Sequence, residues 1–272
     1  MNIDLYDVRE KSVIKSNDLI QKARFSLDLQ QQKIILYLIS QIQPGDEDFK
    51  MYSFSIREFC DVCGINNSGK NYADIKRTIK EIADKSRWIR INPGTETLIR
   101  WIEKVKIDDS GIISIRLDED LKPYLLQLKS NFTKYELLWT LAFRSKYSIR
   151  LYEVVKSVHY HEFESYTKEF SLEQLRGLLD AEKLTTWQRF KDIALEKAID
   201  EINRYSDKLV EYEKVKKNRS VVAVKLTISE KPPVERLKIQ QTIENTYNLN
   251  QLTIWDTLKT TEEKYKPGCP NK

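Results

Sequence analysis

The sequence predicts an α+β fold in which one unit, a strand followed by two helices and a β-hairpin, occurs twice. The segment Phe54-Ser55-Ile56-Arg57-Glu58-Phe59 recurs 116 residues later as Phe170-Ser171-Leu172-Glu173-Gln174-Leu175. In each copy a Ser precedes an apolar helical pattern and a Glu or Gln follows three residues later, which is the signature of a capping box. A polar turn and a longer helix come next, over Tyr72 to Lys85 and over Trp187 to Tyr205, followed by β-rich sequence. This order is typical of a winged-helix module, whose second helix is shaped to enter a DNA major groove.

Composition places the chain among folded, globular proteins. It has 272 residues, of which 40% are apolar and 32% charged, with only 7 Gly and 7 Pro. This length is sufficient for two domains, and so few glycines leave little sequence for glycine-built ligand loops. The N-terminus is acidic and has no apolar signal segment, and no apolar run approaches the roughly 18 residues that span a bilayer. Since the three Cys do not form a disulfide framework either, we expect a soluble cytoplasmic protein without a membrane partner.

Positive charge is clustered along the chain. The net charge of +5 argues only weakly for a nucleic-acid partner. Between Asn66 and Arg90, however, 7 basic residues occur with 3 acidic ones, and between Lys214 and Lys225 there are 5 basic residues and no acid. Clustering on particular elements is the electrostatic footprint expected for DNA binding.

The elements of the first module follow from apolar spacing and turn residues. Leu27 to Ile42 has helical spacing and ends at Pro44-Gly45. Met51 to Ser55 is a predicted strand, and Ser55 is expected to cap a helix that ends at Cys63-Gly64. After the longer helix, further strands are predicted at Trp88–Ile91, Leu98–Ile107 and Gly111–Leu117.

The second module is predicted in the same way, after a short helix over Leu121 to Lys129 and a long helix over Tyr135 to Tyr160. Ser171 caps a helix to Leu179, and Thr185 or Thr186 caps the helix that begins at Trp187. A hairpin is predicted from Leu209–Val215 and Ser220–Ile228. These elements give an N-terminal domain over 1–130, a C-terminal domain over 131–230 and a polar tail over 231–272. We expect the tail to be disordered or to contain one helix.

Three stretches together resemble the iteron-binding replication initiators of theta-replicating plasmids. The first is Lys15-Ser16-Asn17-Asp18-Leu19-Ile20-Gln21-Lys22-Ala23-Arg24-Phe25-Ser26-Leu27. The second combines Leu121-Lys122-Pro123-Tyr124-Leu125-Leu126, Phe132-Thr133-Lys134-Tyr135 and Ser145-Lys146-Tyr147-Ser148-Ile149-Arg150-Leu151-Tyr152-Glu153. The third combines Phe190-Lys191, Ala198-Ile199-Asp200-Glu201-Ile202-Asn203 and Ser206-Asp207. The resemblance extends from about Lys15 to Ser229 and leaves the tail unexplained.

The resemblance implies two tandem winged-helix domains with pseudo-twofold similarity. It also implies a protein that is not an enzyme. Such initiators bind tandem repeats of double-stranded origin DNA as monomers, and many repress their own promoter as dimers held through the N-terminal module. The implied partners are therefore origin DNA, a second copy of the chain in equilibrium with the monomer, and a host replication initiator, helicase or helicase loader.

The first turns of the Trp187–Tyr205 helix are the predicted site of base recognition. At about 100° per residue, the face opposite the apolar one carries Arg189, Asp192, Ile193, Glu196, Asp200 and Asn203. Because the acids repel phosphate, only the N-terminal turns are expected to enter the groove. Arg pairs best with guanine and Gln with adenine. We predict base contacts by Gln188, Arg189 and Ile193, with a plain solvated role as the alternative for Arg189.

Polar and basic residues near the two longer helices are predicted to hold phosphates, which adds affinity without sequence information. In the second module they are Thr186, Lys191, Lys197, Lys214, Lys216, Lys217 and Arg219. In the first module they are Lys70, Lys76, Arg77 and Lys80, together with Arg87 and Arg90 on the following strand. A second interpretation stays open for the first module, in which its charges serve solubility and its strands form the dimer.

Three short motifs point to other chemistry and are less favoured. His159-Tyr160-His161 matches a metal motif of nicking enzymes, but a two-residue step along a helix turns the side chain by about 200°. The segment from Gly64 to Asn71 is like a phosphate-binding loop, but Asn71 stands where Ser or Thr would hold Mg²⁺. Cys60-Asp61-Val62-Cys63 lacks the four ligands of a structural zinc. We therefore expect no metal and no cofactor.

Two alternative functions stay open beside the initiator. One is a rolling-circle nicking initiator that uses the His-Tyr-His segment, and the other is a dimeric transcriptional repressor without a replication role.

Overall fold

The chain forms two winged-helix units in tandem, followed by one further helix. A computed structural model describes residues 5–65, 68–84, 86–92, 95–158 and 164–247, and over 5–6, 86–92 and 95–97 it describes the course of the backbone alone. Helices and strands are mixed within each unit. The predicted α+β fold of two winged-helix domains is thereby confirmed.

The first unit contains the elements up to residue 117. They are α1 (Leu5–Glu10), β1 (Ser12–Ser16), α2 (Asn17–Gln21), α3 (Leu29–Ser40), β2 (Tyr52–Ser55), α4 (Ile56–Cys63), α5 (Gly69–Asp84), β3 (Ser86–Asn92), β4 (Thr95–Arg100), β5 (Ile102–Ile107) and β6 (Ile112–Leu117). Helices α4 and α5 form the helix-turn-helix pair, and Gly64 ends α4 with φ of 63°, a left-handed conformation that favours glycine.

The linker and the second unit follow. The linker contains α6 (Lys122–Leu125), β7 (Phe132–Glu136), α7 (Leu138–Leu141) and α8 (Lys146–Val158). The second unit contains β8 (Ser165–Ser171), α9 (Leu172–Leu178), α10 (Trp187–Phe190), α11 (Glu196–Tyr205), β9 (Lys208–Lys217) and β10 (Ser220–Glu230). A π-helical turn, Lys191–Leu195, joins α10 to α11, so the predicted helix is continuous with one widened turn. Residues 233–247 form a last helix, α12.

The two units share one sheet topology. In the first, the strand order is β2-β6-β5, and in the second it is β8-β10-β9. In both, the strand before the helix-turn-helix pair lies antiparallel to the last strand of the unit, which in turn pairs with the strand before it. The first unit differs by the inserted β3–β4 hairpin. The duplication recognised in the sequence is therefore present in the topology.

The repeated Ser residues cap their helices, but only one forms the complete capping box. Ser171 accepts a hydrogen bond from the Gln174 backbone N–H at 3.1 Å, and the Gln174 side chain accepts one from the Ser171 N–H, also at 3.1 Å. Ser55 accepts from the Glu58 N–H at 3.0 Å, whereas the Glu58 carboxylate accepts a hydrogen bond from Tyr37 at 2.5 Å. The prediction of a capping box at Ser55 is thus wrong for the return hydrogen bond from Glu58, because the Glu58 carboxylate binds the Tyr37 hydroxyl of α3 instead.

The prediction of one long helix over Tyr135 to Tyr160 is wrong. Its beginning is strand β7, which pairs antiparallel with β1 and sets Val13 opposite Tyr135. Helix α8 begins only at Lys146, where Glu201 of α11 accepts hydrogen bonds from the backbone N–H groups of Arg144 and Ser145. Tertiary pairing has therefore overridden the helical spacing of the apolar residues. The β1–β7 sheet also crosses the predicted domain boundary at 130, which stays a prediction.

Two further segments differ from expectation. The helix predicted over Leu121 to Lys129 is limited to α6, since Gln127 and Asn131 adopt φ values of 50° and 53°. The tail after Pro232 contains α12, whose residues Ile243 and Tyr247 are buried. The remainder of the tail lies outside the described residues.

Candidate nucleic-acid interface

The N-terminus of α10 is an exposed, capped helix end. Thr186 is the cap, because its side chain accepts a hydrogen bond from the Arg189 backbone N–H at 3.3 Å. Phe190 and Ala194 are fully buried, and this anchors the helix on the core of the second unit. The side chains of Gln188, Arg189 and Ile193 are exposed on the opposite side. All three predicted base-reading residues are therefore accessible near the N-terminal end of the helix, beside the positive end of its dipole.

Acidic residues on this face are neutralised within the helix. Gln188 donates a hydrogen bond to Asp192 at 2.7 Å, and Lys191 lies 3.2 Å from Asp192 and 3.5 Å from Glu196. The hydrogen bonds from Gln188 and Lys191 lower the pKa of Asp192, so this acid is ionised at neutral pH. Arg189, in contrast, has no side-chain partner within the described part of the chain. Of the polar residues in these turns, Arg189 is the one most available to a ligand.

The wing of the second unit presents a group of basic side chains at the end of the β9–β10 hairpin. Lys217 pairs with Ser220 across a turn in which Asn218 adopts φ of 58°, a conformation that Asn tolerates. The exposed basic residues are Lys214, Lys216, Lys217 and Arg219. None of the four makes a side-chain hydrogen bond or ion pair with another described residue. They form a cationic tip that is suited to phosphate contacts.

The wing is fixed to the helix by contacts that sequence reasoning missed. The Asn203 side chain donates to the Val210 carbonyl at 2.9 Å and accepts from the Val210 N–H at 2.7 Å. Tyr212 of β9 donates to Glu196 of α11 at 2.8 Å. Asn203 is therefore half-buried and structural, whereas helical periodicity had assigned it to the exposed face. An Asn or Asp a few residues before a turn is a weak sequence signal for such a backbone clamp.

The predicted phosphate contacts of the second unit differ in their availability. Lys197 is exposed and has no side-chain partner among the described residues. Lys191 is only 23% exposed and is held by two carboxylates. Thr186 uses its hydroxyl oxygen as the helix cap. Lys197 and the four wing residues are therefore more accessible to a ligand than Lys191 and Thr186.

Helix α5 of the first unit carries a second, more compensated basic face. Lys70 and Lys80 are exposed, and Lys76 is half-buried. Arg77 lies 2.8 Å from Asp74 and 3.8 Å from Glu81, so much of its charge is balanced within the helix. Arg87 and Arg90 lie on β3, where the structure describes only the backbone.

The motifs for other chemistry gain no support from the described residues. Burial raises the pKa of the Cys60 thiol to about 11 and that of Cys63 to about 12, so both are inert, protonated thiols. Among the residues that the structure covers, no group of His, Cys, Asp and Glu has metal-binding geometry. The His159-Tyr160-His161 segment and Cys269 lie outside the described residues, as do Asn66 and Asn67 of the turn that is like a phosphate-binding loop. Within the described helices, none is long and apolar enough to cross a bilayer.

Comparison with known proteins relates both units to replication proteins. The family model described as "Initiator Replication protein, WH1" matches residues 12–156, and "Initiator Rep protein, WH2" matches residues 171–228. A replication initiation protein of Escherichia coli is 27% identical over 207 residues, covering 73% of this chain and 64% of that protein. The match thus spans a little under two thirds of that relative.

A solved structure supports the same fold. The Pi initiator protein, in a crystal structure with iteron DNA, is similar with a TM-score of 0.67 at 19% identity. The match covers 82% of this chain and 98% of that one. The first family model covers more than half of the chain, and the two models follow each other in the order of the two winged-helix units. The chain therefore belongs to the family of initiator replication proteins that consist of a WH1 domain followed by a WH2 domain.

Proposed function

We propose that this protein initiates plasmid replication by binding tandem repeats of double-stranded origin DNA through its two winged-helix domains. The observation that carries the proposal is the surface of the second domain. There Gln188 and Arg189 at a capped helix end lie on the same domain as a wing tip with four basic side chains. Membership in the initiator family supports it, as does the Pi initiator, a protein of the same fold that was crystallised with iteron DNA.

The two kinds of side chain have different tasks in this proposal. Gln188 and Arg189 read base edges in the major groove, where a good bidentate contact discriminates by about 1–3 kcal/mol. Ile193, which is 43% exposed, makes an apolar contact to a base or sugar in the same groove. The wing residues and Lys197 hold phosphates and set the register of the helix. Thr186 and the free N–H groups of the helix end face a phosphate as well.

The first domain has a supporting task. Lys70, Lys76 and Lys80 of α5 contact the backbone of the adjoining DNA, and Arg77 contributes less because Asp74 and Glu81 already balance it. Its β-rich extension, the β3–β4 hairpin, provides the surface through which two copies pair as a dimer that represses its own promoter. The 130/131 boundary between the two tasks is part of the proposal.

The protein acts in the cytoplasm without catalysing a reaction. It distorts and opens the origin and recruits a host replication initiator, helicase or helicase loader. Neither a cofactor nor a metal is needed for this role, because binding energy from the two domains supplies the work of bending or opening DNA.

Footprinting on the DNA that flanks the gene tests the proposal. We expect protected blocks that recur at about two helical turns, roughly 20–22 bp, with specific binding at least about 10³-fold tighter than binding to random DNA. Equal affinity for flanking and random DNA would contradict origin recognition. Plasmid replication dependent on the protein, in a host that lacks the other plasmid genes, separates an initiator from a repressor.

The nicking alternative is tested with the same purified protein. Incubation with supercoiled origin DNA and Mg²⁺ or Mn²⁺ is expected to leave the DNA uncut. A nicked product with a covalent tyrosine adduct would replace the proposal by the nicking mechanism.

A further inference from the structure

Helix α12 connects the recognition helix of one domain to the helix-turn-helix turn of the other. It begins beside the end of α11, where the buried Lys231 donates hydrogen bonds to the carbonyl oxygens of Asn203 and Ser206, the latter at 3.0 Å. Its first turn is closed by hydrogen bonds from Glu235 and Arg236 to the Pro232 carbonyl, each 3.0 Å long. One end of α12 is thus tied to the last carbonyls of the second recognition helix.

The other end of α12 lies on the first domain. Arg9 of α1 is 1% exposed and donates to the Val62 carbonyl at 3.1 Å and to the Asp61 carbonyl at 2.8 Å. The same guanidinium is ion-paired with Glu244 of α12 and lies 4.8 Å from the centre of the Tyr247 ring. Arg9 therefore holds α12 against the C-terminal end of α4.

The Tyr247 ring covers Gly64, the residue that ends α4 before the turn into α5. A Cβ atom at Gly64 would overlap this ring, so only glycine allows the contact. The left-handed φ of Gly64 has the same requirement. The ring of Tyr247 is 7% exposed, and Ile243 one turn earlier is 3% exposed. Tyr247 of α12 is thus closely packed against the turn that precedes α5, the first recognition helix.

Between its two ends, α12 is attached less firmly. Gln240 donates a hydrogen bond of 3.4 Å to Glu136 of β7. Val234 and Leu237 are 64% and 57% exposed. Ile239 is partly buried against the core, so α12 buries a narrow apolar stripe of Ile239, Ile243 and Tyr247 and leaves its opposite face exposed.

We infer that α12 sets the distance and rotation between the two recognition helices, α5 and the continuous α10–α11 helix, and that Arg9 and Tyr247 are positioning residues for two-domain DNA binding. The inference rests on the proposed function. Because the two domains are linked, the second domain binds DNA in an intramolecular step once the first is bound. A fixed spacing gives this step a high effective concentration at DNA of matching spacing, and a loosened spacing lowers it. DNA whose two half-contacts match the fixed spacing is selected accordingly.

Affinity for whole and shortened sites tests the inference in the full-length chain. For Tyr247→Ala we expect the Kd for a complete origin repeat to rise about tenfold, while the Kd for a duplex trimmed to the second domain's footprint stays unchanged. Tyr247→Phe keeps the ring and is expected to bind like the wild type, as is Asn245→Ala, an exposed change on the same helix. An equal loss on both duplexes would overturn the inference.

Spacing of the half-sites provides a second readout that simple destabilisation does not change. Insertion of about 5 bp, half a helical turn, between the two footprints turns one half-site to the other side of the duplex. The wild type should then lose the advantage of the complete repeat, and Tyr247→Ala should lose much less. Identical spacing profiles for the two proteins would contradict a positioning role.

A measurement without DNA separates failure of this inference from failure of the proposed function. Spin labels at Lys80→Cys and Lys197→Cys, in a Cys269→Ser background, report the distance between α5 and α11 because both positions are exposed. We expect one narrow distance distribution, broadened by Tyr247→Ala and also by Glu244→Gln, the milder variant if Tyr247→Ala folds poorly. An unchanged distribution in both variants would overturn the inference even if the wild type bound no origin DNA.

Discussion

Lys15 Nζ lies 2.6 Å from Glu153 Oε1, and this ion pair joins β1 near the start of the chain to α8. Both side chains are almost fully buried. Arg150 completes the charge balance at 3.1 Å from Glu153 Oε2, and Tyr135 donates to Glu153 at 2.7 Å. Arg150 also donates to the carbonyl of Ile20 in α2. One acid therefore organises a buried network that links β1, β7 and α8.

The four residues of this network all belong to the segments on which the resemblance to plasmid initiators is based. Lys15 begins the first segment, and Tyr135, Arg150 and Glu153 lie in the second. These motif residues thus form a buried contact among β1, β7 and α8 and are not part of the exposed surface. Lys15, Arg150 and Glu153 point away from solvent, where no phosphate reaches them.

Substitution of Glu153 by Gln is expected to lower the free energy of unfolding by about 3–5 kcal/mol, because it leaves Lys15 and Arg150 buried without a counter-charge. Urea denaturation measures this loss. The exposed pair Lys22–Asp18 offers a matched control, since its side chains are 48% and 37% exposed. Asp18→Asn should cost less than about 1 kcal/mol. A similar loss of unfolding free energy in the two variants would show that the buried network stabilises the fold no more than an exposed ion pair does.

The Glu153→Gln variant also tests a predicted dependence of stability on pH. Burial alone would raise the pKa of Glu153, but Lys15 and Arg150 outweigh it and hold the pKa below the usual value. A lowered folded-state pKa gives stability that is present above the unfolded-state pKa, about 4.3, and is lost as pH falls through the folded-state pKa. The difference in unfolding free energy between wild type and Glu153→Gln should be constant from about pH 5 to 7 and shrink below about pH 4. A difference that grows on acidification would contradict the network's charge assignment.

Local signals predicted much of the fold. The Ser171 box, the Gly64 cap and the alternating hairpin of β9 and β10 depend on neighbouring residues, and each occurs where the sequence indicated it. Strand β7 was missed because its partner β1 lies far earlier in the chain, and such pairing leaves no local trace. Its apolar residues also fit helical spacing, so periodicity alone favoured the wrong element.

The candidate site was predictable in its charges but not in its contacts. Exposure of Arg189 and the wing residues follows from helix and strand periodicity. The pairing of Lys191 with Asp192 and Glu196 depends on rotamers across a π turn, which no spacing rule gives. Helix α12 did leave a signal, since Ile239, Ile243 and Tyr247 recur every four residues. The polar composition around them obscured that stripe.

Arg189→Ala is expected to weaken binding to the cognate repeat by about 1–3 kcal/mol and binding to random DNA by far less, because the role proposed for the guanidinium is to read base edges. Electrophoretic mobility shifts with both DNAs measure the two losses. Arg204→Ala, at the exposed C-terminal end of the same helix, is the matched control and should leave the specificity ratio unchanged. Equal losses on cognate and random DNA would assign Arg189 to phosphate contact instead.

The double substitution Lys216→Ala with Lys217→Ala should weaken binding to cognate and random DNA alike, because the role proposed for the wing tip is to hold phosphates. If each lysine neutralises one phosphate, the slope of log K against log salt becomes shallower by about 1.8. Lys216→Arg with Lys217→Arg keeps both charges and should keep the slope. Lys191→Ala should change the slope less than either wing lysine, since its ammonium group already faces Asp192 and Glu196. A slope unchanged in the double Ala variant would place the wing tip away from the DNA.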